Sequence, residues 1–330
     1  MRYLLGFGGK WVDRIRIAVV GCGFWGRNHL RVFSELPSAE LVAAVDIDPE
    51  RARFAEEKYG AKGYTDLEEM LGKERVDAVT ICTPSITHAE VALKVIRAGK
   101  HVLVEKPMTS TTEEAVKLIE EAERQKIFLM VGHIERFNPA VERVKRFIDE
   151  GGIGEVVLIS CRRVSRWPIR IGDVGVVKDL AIHDIDISRY ITGMNPVEVY
   201  AVAGRIHHRY EDYANIILRF GERPTAFIEA NWLTPFKVRK LTVTGSDGMV
   251  TMDYISQEVT VANSSGKREL DVVHEEPLKR ELSHFVDVVA GRAEPLINGR
   301  DGLMAVYIAE EALRSASIGK PIKLKPPINL

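Results

Sequence analysis

The stretch Arg14-Ile15-Arg16-Ile17-Ala18-Val19-Val20-Gly21-Cys22-Gly23-Phe24-Trp25-Gly26 joins a buried-strand signal to a glycine-rich turn without a spacer. Ile15, Ile17, Ala18, Val19 and Val20 form the short apolar run of a strand covered on both faces, as in a parallel sheet. In the turn each glycine does what a larger residue does badly. Gly21 makes the sharp bend, Gly23 lets the backbone approach a pyrophosphate, and Gly26 lets the following helix sit against the strand. The unpaired amides at the start of that helix would then face phosphate.

A second apolar run, Leu41-Val42-Ala43-Ala44-Val45, ends in Asp46. Its distance from Gly26 is the roughly 20 residues expected of a ribose-binding acid. Such a carboxylate accepts hydrogen bonds from both ribose hydroxyls and repels the extra phosphate of NADP. Ile47 and Asp48 supply no cation, so NAD is expected rather than NADP. Arg51 and Arg53 fall at helical positions after Pro49 and read as solvated surface charge.

At 330 residues the chain exceeds the usual size of one domain. Lys and Arg total 46 against 47 Asp and Glu, a formal net charge of -1, which points to neither nucleic acid nor an anionic membrane as partner. The three cysteines, Cys22, Cys82 and Cys161, are widely spaced, so neither a disulfide framework nor a metal site is expected and a reducing cytoplasm fits. No apolar run has the length of a membrane span or a signal-peptide core.

Strand and helix alternate through residues 1–132, where 1–13 reads as a loose leader. Helices are expected over 28–36, 49–59, 85–98 and 112–126. Strand ends fall at Gly21, Asp46, Thr83, Glu105 and Gly132, as in a doubly wound parallel sheet whose ligands bind at the carboxyl ends of the strands. The texture changes beyond: residues 133–330 read as an α+β domain with a large, mostly antiparallel open sheet. Its strands are expected over 155–161, 197–204, 213–220, 225–232, 237–244, 249–254 and 258–262. Helical segments are expected over 178–192 and 281–290, and a last helix over 300–318 that could pack back on the first domain.

Three constellations could carry chemistry. Glu105-Lys106-Pro107 closes a strand beside the nucleotide site, where Lys106 can donate to a substrate hydroxyl and favour its oxyanion or form a plain salt bridge with Glu105. On the helix over 178–192, Asp179, His183 and Asp186 share one face opposite Leu180, Ile187 and Ile191. That polar stripe is either solvated surface or, facing a cleft, a general base: Asp179 holding the His183 imidazole as it takes a hydroxyl proton. Arg162-Arg163-Val164-Ser165-Arg166-Trp167-Pro168-Ile169-Arg170 follows a strand, and its arginines could grip a diphosphate while Trp167 stacks on a flat ring. Arg136 and Asn138 are candidates for cofactor or substrate contact. Asn138 reads equally as a helix N-cap before Pro139.

Together, Gly21-Cys22-Gly23-Phe24-Trp25-Gly26, Thr83-Pro84-Ser85 with His88, Glu105-Lys106-Pro107 and Asp179-x-x-x-His183 resemble the glucose-fructose oxidoreductase, inositol dehydrogenase and MocA (Gfo/Idh/MocA) family over essentially the whole chain. The resemblance implies an NAD(P)-binding Rossmann domain and a C-terminal domain whose open sheet serves oligomer contacts, giving a homodimer or homotetramer. It implies catalysis by Lys106, Asp179 and His183. Phe24, Trp25, Thr83, Pro84, His88, Glu105 and Lys106 would join Gly21, Gly23, Gly26 and Asp46 at the cofactor. A substrate would meet Lys106, Arg136, Asn138, Arg163, Trp167, Arg170 and His183. One departure is local: the approach to the Asp and His reads Asp173-Val174-Gly175-Val176-Val177-Lys178, less glycine-rich than in many members.

Within the family, residues 131–140 and the Trp167-Pro168 loop are most similar to UDP-N-acetylglucosamine 3-dehydrogenases, which implies oxidation at carbon 3 of a UDP-linked aminosugar. A free sugar or inositol dehydrogenase is the alternative within enzymes. A nucleotide-sensing regulator without catalysis is the alternative of another class.

Overall fold

The computed structural model describes the backbone of residues 2–4 and 11–13 and, with side chains, residues 14–168 and 172–327. The chain divides into two compact units, Met1–Gly132 with Leu278–Leu303, and His133–Pro277 with Met304–Leu330. Where the sequence reads as a loose leader, β1 (Arg2–Leu4) pairs antiparallel with β2 (Trp11–Asp13). Such pairing gives the two segments' backbone N–H and C=O groups partners.

The first unit alternates β3 (Ile15–Val20), α1 (Phe24–Glu35), β4 (Ala39–Val45), α2 (Pro49–Tyr59), β5 (Lys62–Tyr64), α3 (Leu67–Lys73), β6 (Ala78–Ile81), α4 (His88–Arg97), β7 (His101–Glu105), α5 (Thr112–Gln125) and β8 (Leu129–Gly132). The strands are parallel in the order β5-β4-β3-β6-β7-β8, so the winding reverses between β3 and β6. Ile17, Ala18 and Val19 are completely buried, as a strand covered on both faces requires. Helix starts follow local chemistry. Asp48 caps α2 ahead of Pro49, and Thr111 and Glu114 form a reciprocal capping box on α5. The helix expected over 85–98 begins instead as a 3-10 turn, Ser85–Thr87, before α4.

The second unit holds α6 (Pro139–Asp149), β9 (Val156–Arg166), α7 (Ile182–Thr192), β10 (Glu198–Gly204), β11 (Tyr213–Arg219), β12 (Thr225–Asn231), β13 (Leu233–Gly245), β14 (Met249–Asp253), β15 (Val259–Asn263), β16 (Gly266–Leu270) and, after α8 (Pro277–Val289) and α9 (Gly299–Ile318), β17 (Ile322–Lys323). These strands make one sheet in the order β16-β15-β14-β13-β9-β12-β11-β10-β17, antiparallel except for β9 with β12. Two strands are longer than their sequence suggests. Residues 162–166, the first part of the stretch expected to be an arginine-rich loop after a strand, are the second half of β9, and β13 begins before Lys237. The second half of β9 is dense in Arg, which reads as loop, and the residues added at the start of β13 include Pro235, yet the two segments pair with each other. α8 and the start of α9 belong to the first unit, where Gly299 and Gly302 face Leu129 and Val131 so closely that an added Cβ would stand 2.9 and 2.6 Å away. The remainder of α9 packs Met304, Ile308, Ala309 and Ala312 into the core of the second unit.

Along β9, Ile159, Cys161 and Arg163 are buried while Leu158, Ser160 and Arg162 are exposed. The period of two therefore drives a guanidinium into a core row. Counter-charges from two other segments meet it. Arg163 donates from Nε and Nη2 to the Asp184 carboxylate of α7 at 2.9 and 3.0 Å, and from Nη1 to Glu135 at 2.7 Å. Its guanidinium lies over the Tyr254 ring at 4.5 Å, and the Tyr254 hydroxyl reaches Asp184 at 3.3 Å. Two residues along α7, Asp186 takes both arms of Arg136 at 2.8 and 2.6 Å. Burial pushes the Asp186 carboxyl up, but the charges of Arg136 and His133 and the Arg136 hydrogen bond outweigh it and hold the group below the usual carboxylate range.

Removing one member of such a network leaves a buried charge without compensation. Replacement Arg163→Met is expected to destabilise the second unit by about 3–5 kcal/mol, read as a lower urea midpoint, and Arg163→Met with Asp184→Leu and Glu135→Leu to recover much of that loss. An unchanged midpoint in the single variant contradicts the assignment. Because Asp186 is held low in the folded state, its contribution is complete above the ordinary carboxylate range and fades as pH falls through the folded value. Asp186→Asn should accordingly flatten the acid limb of the stability profile.

Candidate cofactor and catalytic site

At the carboxyl end of β3 the three glycines differ in what constrains them. Gly21 has φ +89°, and a Cβ there would lie 2.7 Å from the backbone of Cys82 and Thr83. A Cβ on Gly26 would stand 1.7 Å from the Gly21 oxygen, so the helix can approach the strand only without a side chain. Gly23, the N-cap of α1, has nothing within 4 Å of the position its Cβ would fill and no side-chain cap on the helix. The space above the turn and the open amides of α1 fit a pyrophosphate.

Asp46 is nearly buried at the end of β4. Its Oδ2 accepts from the Cys22 N–H at 2.7 Å and its Oδ1 from the Asp48 N–H at 2.9 Å, so the glycine turn and the acid form one rigid piece. Each oxygen keeps a lone pair for a ribose hydroxyl. Burial, then the charge of Asp46, pushes the Cys22 thiol up to about 12, which leaves it a packing group without thiolate chemistry. Phe24, Ile47 and Ile86 are 63, 92 and 61 % exposed just beyond the carboxyl ends of β3, β4 and β6. In the sequence Ile47 is noted only for lacking a charge and Ile86 is not singled out, although an apolar residue directly after a strand-end acid or a Thr-Pro-Ser turn is the available signal. Exposed apolar side chains at that place suit the flat face of an adenine.

His88 and Glu105, expected at the cofactor, are braces instead. The His88 ring is buried with Nδ1 2.8 Å from the Pro107 oxygen and Nε2 2.9 Å from the Thr83 oxygen, so it ties the loop after β6 to the loop after β7. Glu105 is buried with Oε1 3.0 Å from His29 Nε2, and Oε2 accepts from the Lys106 N–H at 3.3 Å. The Thr83 hydroxyl accepts from Thr87 at 2.9 Å, and Pro84 is exposed beside it. Trp25 is half-buried and meets Phe24 edge to face at 5.9 Å. Lys106 follows directly at the end of β7, partly exposed, with a cis peptide to Pro107.

In the second unit Asp179 lies in a π-helical turn, Val177–Ala181, that runs without a break into α7 at Ile182, so the two residues of the expected pair straddle the junction. Single π-turns of this kind occur often at functional positions. The solvated stripe that the spacing allows is absent: Asp179 is 6 % and His183 7 % exposed, and α7 is buried on nearly every side. Asp186, expected beside them, faces Arg136. Glu211 caps the entry to this segment, its Oε1 accepting from the Val177 N–H at 3.1 Å and its backbone oxygen from Val176. Burial raises its pKa. Gly175 is required there, since a Cβ would fall 2.1 Å from the Glu211 carboxylate.

The expected substrate contacts divide. Arg163 and Arg136 are bound into the buried network because their side chains point to the core face, where carboxylates of α7 and Glu135 meet them. Asn138 accepts from Ala140 N–H at 3.1 Å and donates to the Tyr254 oxygen at 3.0 Å, so it is the N-cap of α6. Trp167 stays available at 42 % exposure, edge to face with His208 at 4.9 Å, and His208 in turn meets Trp232 at 5.1 Å. Arg170 lies outside the described residues. Asp184, Glu135 and Glu211 were missed in the sequence, since an acid that neutralises a core arginine looks like any surface acid. Among the described residues no group of His, Cys, Asp and Glu could hold a metal ion, and no helix is long and apolar enough to cross a membrane.

Comparison with known proteins agrees with this architecture. Residues 15–133 match the profile described as "Oxidoreductase family, NAD-binding Rossmann fold" of the Gfo/Idh/MocA group, and residues 141–251 match the "GFO/IDH/MocA C-terminal domain". The UDP-N-acetylglucosamine 3-dehydrogenase of Acidithiobacillus ferrooxidans is 28% identical over 298 residues, 87% of this chain and 93% of the relative. Its solved structure superposes with a TM-score of 0.85, covering 92% of this chain and 98% of that one. Inositol 2-dehydrogenase of Rhizobium meliloti is 30% identical over 330 residues, 94% of this chain and 99% of the relative. With both halves matched in order, and a glycine turn and acid built for a dinucleotide, the chain belongs to the Gfo/Idh/MocA family of NAD-binding oxidoreductases, which act on the hydroxyl groups of sugars and polyols.

Proposed function

We propose that the chain oxidises one hydroxyl of a sugar to a ketone, and that the substrate is UDP-N-acetylglucosamine or a related UDP-sugar reacting at carbon 3. The observation that carries the chemistry is the pair Asp179 and His183, nearly buried at the start of α7 on a helix clamped by two arginine–aspartate pairs. The choice of a nucleotide sugar is supported by the similarity to a UDP-N-acetylglucosamine 3-dehydrogenase and by Trp167, an exposed ring on an aromatic cluster that could stack on a uracil. Similarity to inositol 2-dehydrogenase of the same order favours, as second reading, a free polyol as substrate.

NAD, when bound, supplies the hydride acceptor. Gly21, Gly23 and Gly26 position its pyrophosphate, and Asp46 its ribose. An imidazole nitrogen of His183 takes the proton of the reacting hydroxyl, and the Asp179 carboxylate stabilises the imidazolium that results. The Lys106 ammonium donates to the substrate oxygen and steadies the negative charge that develops there. For these roles Lys106 and His183 must address the same substrate atom. The reading places the enzyme in the cytoplasm, where NAD and nucleotide sugars are made, and as a homodimer or homotetramer. The outer face of the large sheet offers the row Tyr200, Ile217 and Phe227, cross-strand neighbours in register and each more than a third exposed, as the surface for a second copy.

Lys106→Met and His183→Asn should each lower kcat/KM for UDP-N-acetylglucosamine by about 10²- to 10⁴-fold while NADH is still bound, as followed by nicotinamide absorbance and fluorescence. Full turnover in either variant removes the mechanism. Asp46→Ala should weaken the preference for NAD over NADP by about tenfold or more, since a charge-assisted acceptor for the ribose hydroxyls is lost and a repulsive charge goes with it. Equal preference ratios in wild type and variant would refute that role. In light scattering, Ile217→Lys is expected to reduce the mass toward that of one chain, and an undiminished mass excludes this face as the interface.

A further inference from the structure

On the inner face of the large sheet Arg163 has a cross-strand neighbour of the same charge: Arg239 of β13 is in register with it. The two arginines are not equivalent. Arg163 is 1 % exposed and hydrogen-bonded to two carboxylates. The side chain of Arg239 is 28 % exposed, and among the described residues its ion-pair partner is Glu135, whose Oε1 stands 3.7 Å from Arg239 Nη1. That distance is beyond a hydrogen bond because the same oxygen sits 2.7 Å from Arg163 Nη1. Among the described residues no acceptor stands within hydrogen-bond distance of the Arg239 guanidinium.

Burial, and then the like charge of Arg163, holds the Arg239 guanidinium below its usual pKa, while Glu135, Asp184 and Asp179 pull the other way. Arg239 lies on the face of the sheet that α7 covers, since its register partner Arg163 is bound to Asp184 of that helix. The segment carrying Asp179 packs on β9, the strand that bears Arg163. A planar fork of N–H donors, half desolvated and crowded by another cation, is a site that an incoming oxyanion would stabilise, and it matches phosphate or carboxylate in two parallel hydrogen bonds.

We infer that Arg239 binds an oxyanion of the substrate, a phosphate or carboxylate group, on the same side of the second unit as Asp179 and His183, and so makes the enzyme selective for charged sugars. The inference rests on the reading of Asp179 and His183 as the proton-transfer pair. It differs from the sequence expectation, which assigned the grip on a diphosphate to the arginines of the 162–170 stretch. A purely structural role for Arg239 within the charge network would instead weaken every ligand alike.

The test is isothermal titration of the NADH-bound wild type, Arg239→Gln and Arg239→Lys with three ligands: UDP-N-acetylglucosamine, glucuronate and myo-inositol. The anionic ligand that wild type binds should weaken by about 10- to 100-fold in Arg239→Gln, the loss of a charge-assisted hydrogen bond pair. Arg239→Lys should restore part of it, and NADH affinity and melting midpoint should report an intact fold. Should the Gln variant not fold, a several-fold selective loss in Arg239→Lys, which keeps the charge but not the fork, carries the test. Equal weakening of myo-inositol and the anionic ligand, or no weakening at all, overturns the inference. If wild type binds UDP-N-acetylglucosamine and Arg239→Gln binds it as tightly, the nucleotide-sugar reading survives and this inference falls. If wild type binds glucuronate only and the variant loses it, the inference stands and the nucleotide-sugar reading falls. Binding of myo-inositol alone contradicts both.

Discussion

A guanidinium in a core row is the constraint on which the second unit is built. Arg163 occupies an inward position of β9 that the strand period would give to an aliphatic side chain, and its desolvation can be offset only by carboxylates held in place. Asp184 and Glu135 provide them from α7 and from the turn before α6. The same contacts set the rotation of α7 on the sheet, since Asp184 must face β9 while Asp186 must face Arg136. His183 precedes Asp184 directly, so its ring direction follows from where that aspartate has to be. An apolar core at the same place would bury as well but would allow the helix to turn. The charge pairs serve orientation more than stability.

In the first unit the comparable fixed point is the Asp46 carboxylate. By accepting from the Cys22 N–H it makes the end of β4 and the turn after β3 a single object, so the acid and the glycine turn cannot drift apart. His88 does the same for the ends of β6 and β7. Four strand ends are thus linked in pairs by single side chains. Preorganisation of this kind lowers the ordering that binding would otherwise require.

What the sequence discloses and what it hides have physical causes. The nucleotide-binding half is readable because its signals are local: a buried run, three glycines at fixed spacing, and an acid one crossover later. The sheet of the second unit is readable in its alternation, but the charged second half of β9 looks like loop until it is seen paired with β13. The site residues that misled are those whose role depends on a distant counter-charge. Arg163, Arg136 and Asn138 are as polar as any ligand-binding residue, and only the burial of Asp184, Asp186 and the start of α6 turns them into structural groups. The spacing puts Asp179 and His183 on one helix face, solvated or lining a cleft, and the helix that carries them is buried and enters through a π-turn. Arg239 carried no motif, and its significance comes from a cross-strand neighbour 76 positions away that leaves it without a close acceptor.

In the proposed reaction the hydrogen on carbon 3 of the sugar passes to the cofactor while the hydroxyl proton passes to the protein. The most direct measurement is to incubate the protein with NAD and UDP-N-acetylglucosamine deuterated at carbon 3 and to weigh the reduced nicotinamide by mass spectrometry. The account predicts one deuterium in the reduced cofactor and a keto group at that carbon. Reduced cofactor without deuterium, or none formed from this substrate, would contradict it.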